Sequence, residues 1–202
     1  MRTSVAALAV LVATSLPARA VAAPQDFAVD PVHSQMGFKV RHLVAKTQGR
    51  FTDYQAVVTM DPADVAGTLK LRATLQATSV DTGNEKRDNH LRSADFFEVE
   101  KHPEIRFQST GVTAKDDGTF AVQGDLTIKG VTKATTLRAE VIGSGSNPFT
   151  GMPMVGLGVT GKIDRKDFGI LWNTALDSGG FVLGDDVELD IHVEASVPKA
   201  GG

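Results

Sequence analysis

The stretch GTLKLRATLQAT, residues 67 to 78, alternates apolar and polar residues without a break. Leu69, Leu71, Ala73, Leu75 and Ala77 fall on one side; Lys70, Arg72, Thr74 and Gln76 fall on the other. Successive side chains of a strand point to opposite faces, so a period of two is what a sheet with one dry and one wet face requires. The same period recurs along the chain. It groups Met36, Phe38 and Val40; Tyr54, Ala56, Val58 and Met60; Ile105 and Phe107; and Phe120, Val122, Leu126 and Ile128. Further on it groups Leu137, Ala139 and Val141; Val155, Leu157, Val159 and Ile163; and Val187, Leu189, Ile191, Val193 and Ala195. These segments make eight strands, joined mostly by short turn-like pieces such as KDDGT and KGVTK. With helical crossovers missing, the sheet is expected to be antiparallel. Eight such strands can close into a barrel whose interior is filled by side chains or holds one small ligand. A two-sheet sandwich satisfies the same alternation.

The N-terminus reads differently. Arg2 precedes the apolar run VAALAVLVA (5 to 13), Pro17 breaks it, and the small residues of ARAVAA follow. The run is too short to span a bilayer, and the order is that of a secretory leader cut near Ala20 or Ala22. Residues 1–22 are therefore expected to be removed, leaving one barrel domain over 26–197 and a short tail over 198–202. No second long apolar run follows, so no stable membrane insertion is expected. There is no cysteine. That excludes thiol catalysis, a disulfide framework and a lipid-anchored cysteine. Removing Arg2 and Arg19 with the leader takes the formal charge from −3 to −5. A mildly acidic chain is a poor partner for nucleic acid or, in bulk, for an anionic membrane.

Chemistry-bearing motifs are few. GLGVTG (156 to 161) matches G-x-G-x-x-G, but it lies inside an alternating strand rather than at a helix start. Its glycines fit strand curvature or a close backbone approach better than a dinucleotide site. The five histidines, His33, His42, His90, His102 and His192, show no ligand spacing. No catalytic set, metal site or cofactor is predicted. His42 falls on the face of Phe38 and Val40, either as a strand-end residue leaving the core or as a polar group at a pocket mouth. Trp172, the one tryptophan, either packs in the core or lines a cavity.

One segment breaks the alternation: SVDTGNEKRDNHLRSADFF, residues 79 to 97. Residues 82 to 95 read as a helix, with Thr82 and Glu85 as a capping box and Asp88 and Arg92 as an i, i+4 pair. Only Leu91 and Ala94 are apolar within it, too narrow a stripe for a core helix. It fits a lid tipped by Phe96 and Phe97. Arg87, His90 and Arg92, with Lys86, are either a solvated helix face or donors that hold a polar head at the barrel mouth.

DPVHSQMGFKVRHL, GRFTDYQA, TSVDTGNEKRDNHLRSADFF, HPEIRFQSTGV, VQGDLTIKGVTK and GKIDRKDFGI together resemble the YceI-like family of polyisoprenoid-binding proteins. The resemblance runs in order from about Val29 to Ala195. One departure is DFAVDP, where family members often carry a tryptophan before the D-P pair. The resemblance implies an all-β, lipocalin-like, eight-stranded antiparallel barrel with an apolar channel. It implies a long-chain isoprenoid or acyl lipid as partner, a periplasmic location and, in some members, a homodimer. It transfers no contact residues. The inward strand faces nominate Phe38, Val40, Leu69, Leu71, Leu75, Phe107, Leu126, Leu157 and Trp172 for the channel. His42, Arg87, His90 and Arg92 are nominated for the mouth. A lipid-modifying enzyme and a ligand-free interaction module are the competing readings. The enzyme would need His42 or His90 beside Asp88.

Overall fold

The computed structural model describes residues 23–177 and 179–199. The expected leader, and the end of the expected tail from 200 on, lie outside the described residues. The elements are β1 (Gln25–Val29), β2 (Gln35–His42), β3 (Ala45–Phe51), β4 (Tyr54–Met60), α1 (Val65–Thr68), β5 (Lys70–Gln76), β6 (Val80–Asp81) and α2 (Glu85–Arg92). Then follow β7 (Glu104–Ala114), β8 (Phe120–Ile128), β9 (Val131–Ser146), β10 (Pro153–Asp164) and β11 (Leu183–Ser196).

Three long strands are interrupted. β1 pairs with β4 while β2 pairs with β3, and β4 pairs with β5 while β3 pairs with β6. So β1 and β2 are two halves of one staggered strand, as are β3 and β4, and β5 and β6. Counted this way, eight antiparallel strands follow one another around the sheet. β11 closes it by pairing with both β1 and β2. The result is a closed barrel, and the sandwich is excluded. Closure pairs most strand edges and so removes templates that would otherwise invite aggregation; β3 meets β6 only at Arg50 and Phe51.

The break between β1 and β2 has a local cause. Between β1 and β2, residues 30 to 34 bulge outward. The Ser34 hydroxyl takes over the ladder there: it accepts from the Glu194 amide (2.9 Å) and donates to the Glu194 carbonyl (3.2 Å). The bulge is clipped by His33 Nδ1 against Asp30 Oδ2 (2.8 Å) and by the Tyr54 hydroxyl donating to the Ser34 carbonyl (3.1 Å). Asp30, His33 and Glu194 bring three metal-type ligand atoms within 4.8 Å of one another here. The Asp30–His33 bond already satisfies two of them.

The inward faces are those the alternation assigns. One end of the barrel is packed solid by Phe27, Met60, Leu69, Val122, Val155 and Ala195, all buried. At the other end β7 starts late, because the chain first makes the excursion through α2. That excursion, and the strap from Leu171 to Val182 that joins β10 to β11, leave the interior open there.

Candidate functional site

The open end leads into a cavity of about 600 Å³, within the roughly 300–1,000 Å³ of small-molecule sites. Its walls are mostly apolar side chains from β2, β3, β4, β5, β7, β8, β9, β10 and β11, and among the described residues no carboxylate lines it. Phe38, Val40, Leu71, Leu75, Phe107, Leu126, Leu157 and Trp172 all face it, as the alternation expects. Leu69 is the correction. It is buried but does not line the cavity, because it sits at the C-cap of α1, ahead of β5, where it completes the packed end.

Two of the lining aromatics bring the far ends of their rings against glycines. A Cβ on Gly49 would sit 2.4 Å from the Phe38 ring, and one on Gly124 would sit 2.5 Å from the Phe107 ring. Both distances are far inside van der Waals contact. The missing side chains let large rings coat the wall instead of filling the lumen. Gly161, the last glycine of GLGVTG, does the same for Leu137, at 2.5 Å. Gly156 marks a register shift against β9. The motif is strand throughout, as expected, and provides curvature and room.

The mouth is framed by α2, by the β2–β3 hairpin and by the strap. His42, Asn84, Lys86, Arg87 and His90 line it. The charged segment is helical only over Glu85–Arg92, shorter than the 82 to 95 expected. The capping box does not form: Asn84 is the cap, its Oδ1 accepting from the Arg87 amide at 3.0 Å. Thr82 lies before the helix and instead donates, through its amide and its hydroxyl, to the buried Asp88 carboxylate (3.0 and 2.5 Å). The Asp88–Arg92 pair does not form either. Arg92 turns away and donates to the Thr78 carbonyl (2.7 Å), the Val80 carbonyl (2.9 Å) and Asn89 Oδ1 (2.9 Å). It staples α2 to the β5–β6 break and is not a mouth residue. Two good acceptors on the backbone outweigh one helical ion pair worth a few tenths of a kcal/mol.

His90 is held in an aromatic corner. Its ring meets Trp172 and Phe96 edge-on, at centroid distances of 4.9 and 5.0 Å, and its Nε2 bonds Asp95 (2.8 Å). Phe97 packs edge-on against Phe51 at 5.7 Å. Phe96, 5.3 Å from Trp172, and Phe97 therefore tie the charged segment to the strap and to the barrel wall, as their position at its end suggested. Lys129 adds a bond from Nζ to the Ala94 carbonyl (2.7 Å).

One residue went unnoticed in the sequence. Arg165 is buried and donates to the carbonyls of Ile170 (2.7 Å), Trp172 (2.9 Å) and Gly184 (3.0 Å), and to Asp185 (3.0 Å). It ties the strap to the start of β11 and thereby places Trp172 over the mouth. Its only signal was an arginine directly after an alternating strand, in GKIDRKDFGI.

Comparison with known proteins agrees with the geometry. The YceI-like domain matches residues 27–195. The chain belongs to the YceI-like family. A UPF0312 protein of Staphylococcus aureus strain N315 is 40% identical over 86% of this chain and 99% of its own. Among solved structures, the YceI protein of Campylobacter jejuni superposes with a TM-score of 0.67 at 35% identity, covering 79% of this chain and 90% of its own. BcnA of Burkholderia cenocepacia gives 0.72 at 23% identity, covering 83% and 99%. A polyisoprenoid-binding domain from Saccharophagus degradans gives 0.59 at 17%, covering 85% and 98%; these last two show the shared fold.

Proposed function

We propose that this protein binds a long-chain amphiphile, a polyisoprenoid or polyprenyl pyrophosphate or an acyl chain, and serves as its carrier or store in the periplasm. The tail lies in the barrel and the polar head sits under α2. The observation that carries this reading is the cavity itself: an apolar lumen without a carboxylate, opening past His42, Lys86, Arg87 and His90. A chain in such a lumen gains roughly 0.8 kcal/mol per methylene removed from water. Part of that gain is offset by ordering the tail. The cationic and imidazole groups at the mouth suit an anionic or hydrogen-bond-accepting head. The Saccharophagus neighbour is described as polyisoprenoid-binding, which supports an isoprenoid as the first ligand to try.

The chain is read as a binding protein rather than an enzyme. Asp88 is committed to Thr82, and so the pairing of His42 or His90 with Asp88 that an enzyme reading relied on does not form. His90 is paired with Asp95 instead.

Native mass spectrometry of protein prepared from the periplasm without detergent tests the proposal. A discrete added mass that extracts into organic solvent as a prenyl or acyl chain is the expected result. An apo mass that stays unchanged after incubation with polyprenyl pyrophosphates and fatty acids rejects it.

A further inference from the structure

The β2–β3 hairpin turns on two residues, Leu43 and Val44, between the paired His42 and Ala45. Tight hairpin tips favour Asn and Gly, which tolerate positive φ. Leu43 holds φ 51°, a region that bulky residues rarely enter. Its side chain is 42% exposed, and Val44 is 102% exposed. Beside the tip the strap presents Leu171 (65%) and Phe181 (53%) to solvent. The tip and the strap are joined by a bond from the Leu43 amide to the Val182 carbonyl (2.8 Å). Four exposed apolar side chains thus rim one end of an apolar cavity, and one of them sits where the backbone is strained.

Cations accompany them. Arg41 and Arg87 bond only oxygens of Leu43 and Thr82 among the described residues, and Lys86 is exposed. Lys46 is neutralised by Glu188 at 2.6 Å. Glu85 and Asp177 stand exposed on α2 and on the strap, so the apolar tips carry the larger share of any attraction.

We propose that this rim is a membrane-docking surface: the protein seats its mouth on the headgroup region of an anionic bilayer and exchanges its amphiphile there. The inference rests on the lipid-binding reading above. A tail that passes from bilayer to cavity through such a contact is never exposed to water at roughly 0.8 kcal/mol per methylene. Interfacial attachment of this kind needs a small apolar area and a few cations rather than a positive net charge, so the acidic balance of the whole chain does not oppose it.

The test uses the intact mature protein and vesicles of phosphatidylcholine, with and without phosphatidylglycerol. Flotation reads docking. A fluorescent prenyl probe, supplied either in the vesicles or from cyclodextrin, reads transfer and plain uptake separately. Docking is expected to be stronger on the anionic vesicles. Val44→Asp and Leu171→Asp, neither of which lines the cavity, should each weaken flotation and vesicle transfer about tenfold, with uptake from cyclodextrin unchanged. Flotation absent from both vesicle types, or indifferent to both substitutions, overturns the proposal and leaves lipid binding standing. Loss of a dimer in the variants, seen by light scattering with no flotation of the parent, makes the rim a self-interface and also overturns it. Flotation as expected but no uptake from cyclodextrin supports docking and removes the lipid-binding reading instead.

Discussion

At the scale of single residues, buried or clipped polar groups set the geometry of the mouth. Arg165 has the most at stake. Replacing it by Met leaves the carbonyls of Ile170, Trp172 and Gly184 without their donor. The expected loss is about 3 kcal/mol in urea unfolding, at roughly 1–3 kcal/mol per abandoned buried group with partial access of water. Lys should restore only a fraction, since an ammonium cannot reach three directions from one plane. His33 makes a gentler prediction. Its hydrogen bond to Asp30, then the charge of Asp30, raises its pKa above the ordinary 6.5. A group raised on folding stabilises the fold fully below its unfolded pKa, and that stabilisation is lost as pH rises through the higher folded value. The melting temperature should therefore fall slightly as pH rises through and above the ordinary imidazole range, and His33→Ala should flatten that slope. The Asp30 carboxyl, held low chiefly by the same bond, matters in the other window: its share is present above the ordinary carboxylate range and is lost only as pH falls through its depressed value.

At the scale of elements, the cavity is kept wide where glycines on β3, β8 and β10 give up side chains. Gly124→Val should push the Phe107 ring off the β8 wall and into the lumen, since a Cβ there already falls 2.5 Å from it. Overpacking of this kind costs about 1–3 kcal/mol, and bound lipid should drop in parallel, measured as extractable lipid per protein. The charged segment responds to a different change. In Asp88→Ala, Thr82 loses its acceptor, and amide exchange should quicken across α2 while the barrel strands keep their protection. The segment was recognisable in the sequence as a charged lid with two aromatic anchors. Its internal bonding was not. T-x-x-E and an i, i+4 acid–base pair both occur by spacing, but each competes with backbone groups that only the folded barrel brings near. Arg92 chose Thr78 and Val80, and Thr82 chose Asp88.

At the scale of the whole molecule, one closed sheet is solid at one end and hollow at the other. Filling the hollow is the direct test of what it is for. Leu71 is partly buried and faces the cavity. Leu71→Trp should abolish bound lipid in native mass spectra while changing the melting temperature little, because the new ring occupies space that is already apolar. Loss of fold rather than loss of lipid would mean that the lumen is packing space and not a site.

What the sequence determined by itself was the local and periodic part: eight strands, their inward faces, an antiparallel order, and one charged excursion with Phe96 and Phe97 at its end. Those follow from a period of two and from short connections, which act between near neighbours. The alternation could not say that three strands would break and stagger so that β11 closes on both β1 and β2. Nor could it separate Leu69 in the packed end from Leu71 in the cavity, since both share one face of one run. It gave Arg165 no special standing and left barrel and sandwich open. Those choices depend on where side chains and carbonyls far apart in the chain come together, and only the closed barrel decides that.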